Sequence, residues 1–250
     1  MTDYFVHDHL SGRFTVSAAQ EEAAVDASMR VCDLFTTTEV SKPAQARALR
    51  EPGWTAIFGN KGPRDDCGIS IRNERFRLIE GGTATLSHLT YQTESFGVAD
   101  THEGAYAVIE DKRSVFKHAV GVVVVAHLPH GMQDDIRLNR PGSDVAKAYR
   151  DIVRGARQLA TDLRREHKAN WTMIVADWNL NVKNAWVPLY LKSQFPTYHL
   201  NWQRPYPKRG TFGNMIFDFA LLRGIDNRRN PTILSRSPGF DHLGWRQLLG

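Results

Sequence analysis

The sequence predicts an α/β sandwich with two central sheets and helices outside, on three observations. Short segments rich in β-branched and aromatic residues recur between turn formers in the first half of the chain. Two near-continuous apolar runs, 118–128 and 171–176, lie on either side of a long helical pattern. No fixed repeat, low-complexity tract or linker-like break divides the 250 residues, so one domain spanning 1–250 is expected.

Taken in order, Ser17-Ala-Ala-Gln20 has the S-x-x-Q form of a capping box. It opens a helix through about Leu34 with Val25, Met29 and Cys32 on one face, and a short strand ending near Glu39 follows. Segments 54–58, 67–72, 75–79, 84–90 and 105–109 read as successive strands, each bounded by Gly, Pro, Asn or Asp, in a largely antiparallel stretch. "HAVGVVVVAHL" (118–128) is β-branched almost throughout, the pattern of a strand covered on both faces. Ser143 or Asp144 caps a helix to about His167, in which Val145, Tyr149, Ile152, Ala156, Leu159 and Leu163 recur at helical spacing. "WTMIVA" (171–176) is the next buried strand, so strand, helix and strand form a crossover packed against a sheet. Strands at 215–222 and 231–235 complete the pattern.

Composition narrows the functional class. With 42% hydrophobic and 24% charged residues the chain is an ordinary globular one with material for a sizeable core. No run approaches the roughly 18 apolar residues of a membrane span, and the N-terminus lacks the basic flank and apolar stretch of a secretion signal. Cys32 and Cys67 lack metal-site spacing and read as buried thiols, so a reducing cytoplasm is the expected compartment. The net charge of +5 is concentrated: residues 200–250 hold eight basic side chains against three acidic ones. A local basic surface concentrates polyanions, which favours a nucleic acid or another phosphorylated substrate.

Polar residues at the ends of buried strands are where chemistry is expected, because the strand fixes the side chain while the following loop leaves it open. "LFTTT" runs into Glu39, "VVVVA" into His127-Leu128-Pro129-His130, and "MIVA" into Asp177-Trp178-Asn179. Near the C-terminus "SPGF" leads to Asp241-His242. Together these carry hard oxygen donors, two imidazoles and an amide, a set suited to Mg²⁺ and a phosphate rather than to zinc. His130, Asp134 and Asp135 read as loop surface and Trp178 as core, while "NWQRPYPKRGTF" (201–212) mixes Trp202 and Tyr206 with Arg204, Lys208 and Arg209, a combination suited to base stacking and phosphate contact.

The wording and order of these segments resemble the endonuclease/exonuclease/phosphatase superfamily over most of the chain. "TTTEV" resembles its Q-E-V motif at Glu39, "VVVVAHLPH" its strand-plus-H-L motif at His127, and "VADWNLNV" its G-D-F/W-N motif at Asp177 and Asn179. "GTFGNMIFDFALL" is similar to the T-F and I-D-x-I-L segments at Thr211, Phe212 and Asp218, and "GFDHLGW" to the terminal S-D-H at Asp241 and His242. The resemblance implies a four-layer DNase I-like α/β sandwich, with two central mixed sheets flanked by helices, and a Mg²⁺- or Mn²⁺-dependent phosphoesterase. Two departures stand out. The Asn usual at the end of the first strand is absent from "RFTVSAAQE", and the Ser of S-D-H is Phe240.

Phosphodiester hydrolysis needs an in-line nucleophile, neutralised non-bridging oxygens and a stabilised leaving group, and each candidate fits one of these needs. Glu39 and Asp241 are the metal ligands that the resemblance implies; Asp177 is the base for water, Asn179 a donor to phosphate, and His127 and His242 further donors. Asp218 orients His242. Arg204, Lys208 and Arg209 are the candidate substrate contacts. The leading expectation is a DNA nuclease with no membrane insertion. A phosphatase or phosphodiesterase acting on small phosphorylated molecules or lipid head groups is the alternative, and an inactive homologue binding nucleic acid or protein is the second.

Overall fold

A computed structural model describes residues 4–11, 17–59, 67–93, 97–99, 102–113, 119–130, 133, 142–227, 229–234 and 244–250. Asp134, Asp135, Asp241 and His242 lie outside the described residues.

Strand β1 (Phe5–Ser11) carries three consecutive polar residues, His7, Asp8 and His9, yet all three are buried. Helix α1 (Ala18–Met29) opens on the expected capping box, with the Ser17 hydroxyl accepting from Gln20 N and the Gln20 side chain returning to Ser17 N. It stops short of Leu34 because Asp33 pairs with β1: its N–H donates to Val6 O and its carboxylate accepts from Val6 N. Chain direction reverses there into β2 (Leu34–Thr38), which lies parallel to β1 with Ser11 opposite Thr38. Helix α2 (Lys42–Leu49), then β3 (Trp54–Phe58) and β4 (Gly68–Arg72), follow.

Beyond β4 the expected strands 75–79 and 84–90 are one strand, β5 (Phe76–Ser87), running through Gly81-Gly82. It remains continuous because β8 (His102–Asp111) pairs along it, with register shifts at Leu78/Glu80 and Thr85/Ser87 absorbing the irregularity. A small ribbon, β6 (Tyr91–Thr93) and β7 (Gly97–Ala99), intervenes. Strand β9 (Ala119–His127), helix α3 (Asp144–Glu166) and strand β10 (Trp171–Asp177) form the expected crossover, with β9 and β10 parallel and Ser143 capping the helix. Gly155 brings α3 onto the sheet, since a Cβ there would collide with Leu86 O. Among the described residues the remaining elements are α4 (Trp186–Gln194), β11 (His199–Leu200), β12 (Asp218–Arg223), β13 (Thr232–Ile233) and β14 (Trp245–Leu249).

Two mixed six-stranded sheets result, in the orders β13-β14-β1-β2-β4-β3 and β11-β12-β10-β9-β8-β5. Along β2 the side chains alternate: Leu34 joins the core between the sheets, while Phe35 joins Leu10, Val25, Met29 and Ala44 beneath α1 and α2. Tyr149, Ile152, Ala156 and Leu163 of α3 cover the second sheet. The layers are therefore helix, sheet, sheet and helix, the four-layer α/β sandwich expected. No helix among the described residues is long and apolar enough to cross a membrane. Both cysteines are buried thiols.

Candidate active site

Parallel pairing of β9 with β10 sets His127 opposite Asp177, and antiparallel pairing of β10 with β12 sets Asp177 opposite Asp218. Three chemical side chains thus form one row across three strands, on one face of the second sheet, because residues in register project to the same side. From the first sheet, Glu39 follows the last residue of β2 with φ of 55°. This left-handed turn costs a non-glycine residue roughly 1–3 kcal/mol, and here it turns the carboxylate towards the row. His127 Nε2 lies 3.7 Å from Glu39 Oε1 and 4.0 Å from Asp177 Oδ2. Ligand atoms of Glu39, His127 and Asp177 all lie within 4.8 Å of one another, so two carboxylates and an imidazole from both sheets meet at one point.

Asn179 also adopts a left-handed backbone, with φ of 47°. Its N–H donates to Asp177 Oδ1 at 3.0 Å and its side-chain Nδ2 donates to Leu128 O at 2.6 Å, which fixes the amide between the Asp177 and His127 loops. Asn179 Oδ1 is buried without a hydrogen-bond partner. Such an acceptor is costly unless a donor or a cation meets it, so the Asn179 side chain is set to face one or the other.

The Asp177–Asn179 segment is held from behind. Trp178 is core, as expected, stacked on Phe219 and donating from Nε1 to Phe219 O at 3.0 Å. Tyr149 OH donates to Trp178 O. Asn181 binds three segments: its N–H donates to Gln133 Oε1, and its Oδ1 accepts from Lys183 N and Ile216 N. Thr211 Oγ1 accepts from the N–H groups of Phe217 and Asp218, holding the start of β12.

Asp218 is wholly buried and faces the space between the sheets rather than solvent. Across that space His9 Nε2 stands 3.7 Å from Asp218 Oδ1. The expected pairing of Asp218 with His242, and the expected ligand Asp241, lie outside the described residues. Residues 13–16 of "RFTVSAAQE", the segment compared with the family's Asn-bearing strand end, lie outside the described residues, and the first described strand ends at Ser11. Ser11 Oγ accepts from Thr38 Oγ1 at 2.9 Å, so a hydroxyl pair occupies the place next to Glu39.

Arg204, Lys208 and Arg209 are exposed on one loop. Lys183 Nζ donates to Pro207 O at 2.7 Å and Lys208 O at 3.2 Å, and burial lowers its pKa; this ties the basic loop to the segment that carries Asp177. Trp202 corrects the expectation of a stacking platform, since it is buried with Nε1 directed at Asp218 O. Sequence reasoning passed over His9, Ser11, Thr36, Tyr149 and Asn181; only Asn181, two residues beyond Asn179, carried a local signal.

No protein-family model matches the sequence, and no curated protein sequence matches it. Solved structures do. An endonuclease/exonuclease/phosphatase family protein from Bacteroides thetaiotaomicron superposes with a TM-score of 0.68 at 14% identity, covering 98% of this chain and 94% of its own. The chain has the endonuclease/exonuclease/phosphatase fold. A mannosyl-6-phosphatase from the same organism shares this fold with a TM-score of 0.71 at 13% identity, over 98% of this chain and 99% of its own. TDP2 from D. rerio, solved with a single-strand DNA product, also reaches 0.71, at 11% identity and full coverage of both chains. In this chain the endonuclease/exonuclease/phosphatase fold places Glu39, His127 and Asp177 together where its two sheets end.

Proposed function

We propose that the chain is a divalent-metal-dependent phosphoesterase that cleaves phosphodiester bonds in nucleic acid, with DNA as the leading substrate. The observation that carries this reading is the meeting of Glu39, His127 and Asp177 at the ends of two sheets, beside the buried Asn179 amide. The fold supports it, since a similar structure was solved with a single-strand DNA product.

The residues suit Mg²⁺ or Mn²⁺: the Glu39 carboxylate is a hard oxygen donor next to His127, and Asn179, whose N–H donates to Asp177 Oδ1, keeps a buried side-chain oxygen without a hydrogen-bond partner. Glu39, together with Asp241 by resemblance, would hold the ion, which supplies charge neutralisation and polarisation of the phosphate when bound. Asp177 accepts a proton from the attacking water, its orientation fixed through Oδ1 by the Asn179 N–H. Asn179 keeps a second amide hydrogen for a phosphate oxygen, one being given to Leu128 O. His127 Nε2, near both carboxylates, donates to the same phosphate. Asp218 orients His242, which donates to the charge developing in the transition state. Arg204, Lys208 and Arg209 contact the substrate backbone.

A second reading, a phosphatase on small phosphorylated molecules, is favoured by the equally close likeness to the mannosyl-6-phosphatase. One panel separates the two. Purified protein is offered supercoiled, linear duplex, single-stranded and abasic DNA, RNA, mannose 6-phosphate, inositol phosphates and sphingomyelin, with Mg²⁺, Mn²⁺ or EDTA. Cleavage of DNA that needs metal supports the proposal. Turnover of small substrates alone moves the assignment to the second reading, and no turnover on any substrate leaves a binding homologue.

A further inference from the structure

A chain of buried polar groups crosses the space between the sheets and ends at Asp218, and its polarity follows from its first member. Ala220 N–H, a backbone group that can only donate, meets Asn201 Oδ1 at 2.9 Å. Asn201 Oδ1 is therefore the acceptor, and Nδ2 donates to Gln247 Oε1 at 3.1 Å. Gln247 Nε2 then donates to His7 Nδ1 at 3.0 Å and towards Met173 Sδ at 3.7 Å. With Nδ1 accepting, neutral His7 carries its hydrogen on Nε2 and gives it to Thr36 Oγ1 at 2.8 Å. Burial first, then the neighbouring His9, lower the His7 pKa well below 6.5 and keep it in that neutral form. Thr36, having accepted one hydrogen, passes its own to its remaining partner, His9 Nδ1, at 2.9 Å. His9 is left with its hydrogen on Nε2, an atom that is buried without a hydrogen bond and stands 3.7 Å from Asp218 Oδ1.

We propose that His9 is a positioning residue for the reaction, its Nε2–H fixed by the Asn201–Gln247–His7–Thr36 chain and directed from the facing sheet at the Asp218 carboxylate. Asp218, His9, His7, Thr36 and Asn201 are all wholly buried and Gln247 nearly so, so water does not compete along the chain. At 3.7 Å the contact is longer than a hydrogen bond, and a small side-chain movement closes it. A donor held there favours one carboxylate orientation over others, and the main chain of Asp218 is already pinned by Thr211 Oγ1. The origin of the chain, Ala220, lies two residues along β12 from Asp218, so the network closes on the strand that it serves. This proposal rests on the role assigned to Asp218 above.

The test begins with ring tautomers, read from long-range ¹H–¹⁵N correlation spectra of the uniformly ¹⁵N-labelled protein. Both His7 and His9 are expected with the hydrogen on Nε2. Thr36→Val keeps the shape of the side chain but removes the hydroxyl, so His9 should shift towards the Nδ1–H tautomer. The turnover number on the substrate found by the panel should then fall roughly tenfold to a hundredfold with KM unchanged. Thr36→Ser should restore both. A wild-type His9 carrying its hydrogen on Nδ1 would overturn the proposal without any variant, and so would wild-type turnover in a folded Thr36→Val protein. Absence of turnover in the wild type would instead refute the functional reading, and the positioning role with it, while the tautomer spectrum still decides the polarity of the chain.

Discussion

Tyr149 donates its hydroxyl hydrogen to the carbonyl of Trp178 at 2.7 Å, both residues being buried, and so ties α3 to the loop between Asp177 and Asn179. Removing the hydroxyl leaves a buried carbonyl without its donor, which costs about 1–3 kcal/mol. Tyr149→Phe should therefore lower the unfolding free energy by that amount in urea titrations, with turnover falling because the Asp177 loop loosens. Unchanged stability would mean that another donor reaches the Trp178 carbonyl.

His7 gives the fold a pH dependence of known sign. Its folded pKa lies well below the unfolded value of 6.5, because burial penalises the imidazolium and His9 adds to the effect. Below pH 6.5 the unfolded chain takes up a proton that the folded chain refuses, so stability is lost as pH falls. From pH 7.5 to 5.5 the His7 contribution to this loss is on the order of 1 kcal/mol, the limit being set by protonation of the unfolded chain. Comparison of wild type with His7→Gln by urea unfolding at both values should show the wild type losing that much more. Parallel losses would mean that His7 is protonated in the folded protein.

The basic loop separates the substrate classes. If Arg204, Lys208 and Arg209 meet a nucleic-acid backbone, replacing all three by Ala should weaken DNA binding and reduce the log–log salt slope by roughly one unit per lost contact. Small phosphorylated substrates should be turned over as before. An unchanged salt slope would remove these residues from the interface.

Much of the fold was legible because β9 and β10 are continuous apolar runs and α1 and α3 carry their caps in the sequence. Strand β1 was not. Its His7 and His9 face the polar chain between the sheets, and Asp8 forms a two-pronged pair with Arg246 on β14, so neither alternation nor hydrophobicity marks it. That omission left the described strand end at Ser11 out of the expected elements. Trp202 misled for the opposite reason: cations follow it closely in sequence, while the fold buries it against β12. His127 and Asp177 were legible because each ends a strand whose apolar run is visible, and Glu39 because it follows the β-branched strand "LFTTT". Thr36 and Tyr149 act through atoms distant in sequence, and no local pattern announces such contacts.

Metal affinity tests the first-sheet contribution. Glu39→Gln keeps the side-chain size and removes a charge, so activity should need higher Mg²⁺ or Mn²⁺ for half-saturation and recover when more is added. An unaltered metal titration would place the ion elsewhere.

Asp177→Asn addresses the central claim most directly, because it preserves the shape beneath His127 and the bond from Asn179 N while removing the base. Single-turnover hydrolysis of the phosphoester that the wild type cleaves should slow by about 10² or more, with the unfolding midpoint and substrate affinity retained. Wild-type turnover in that variant would contradict the account.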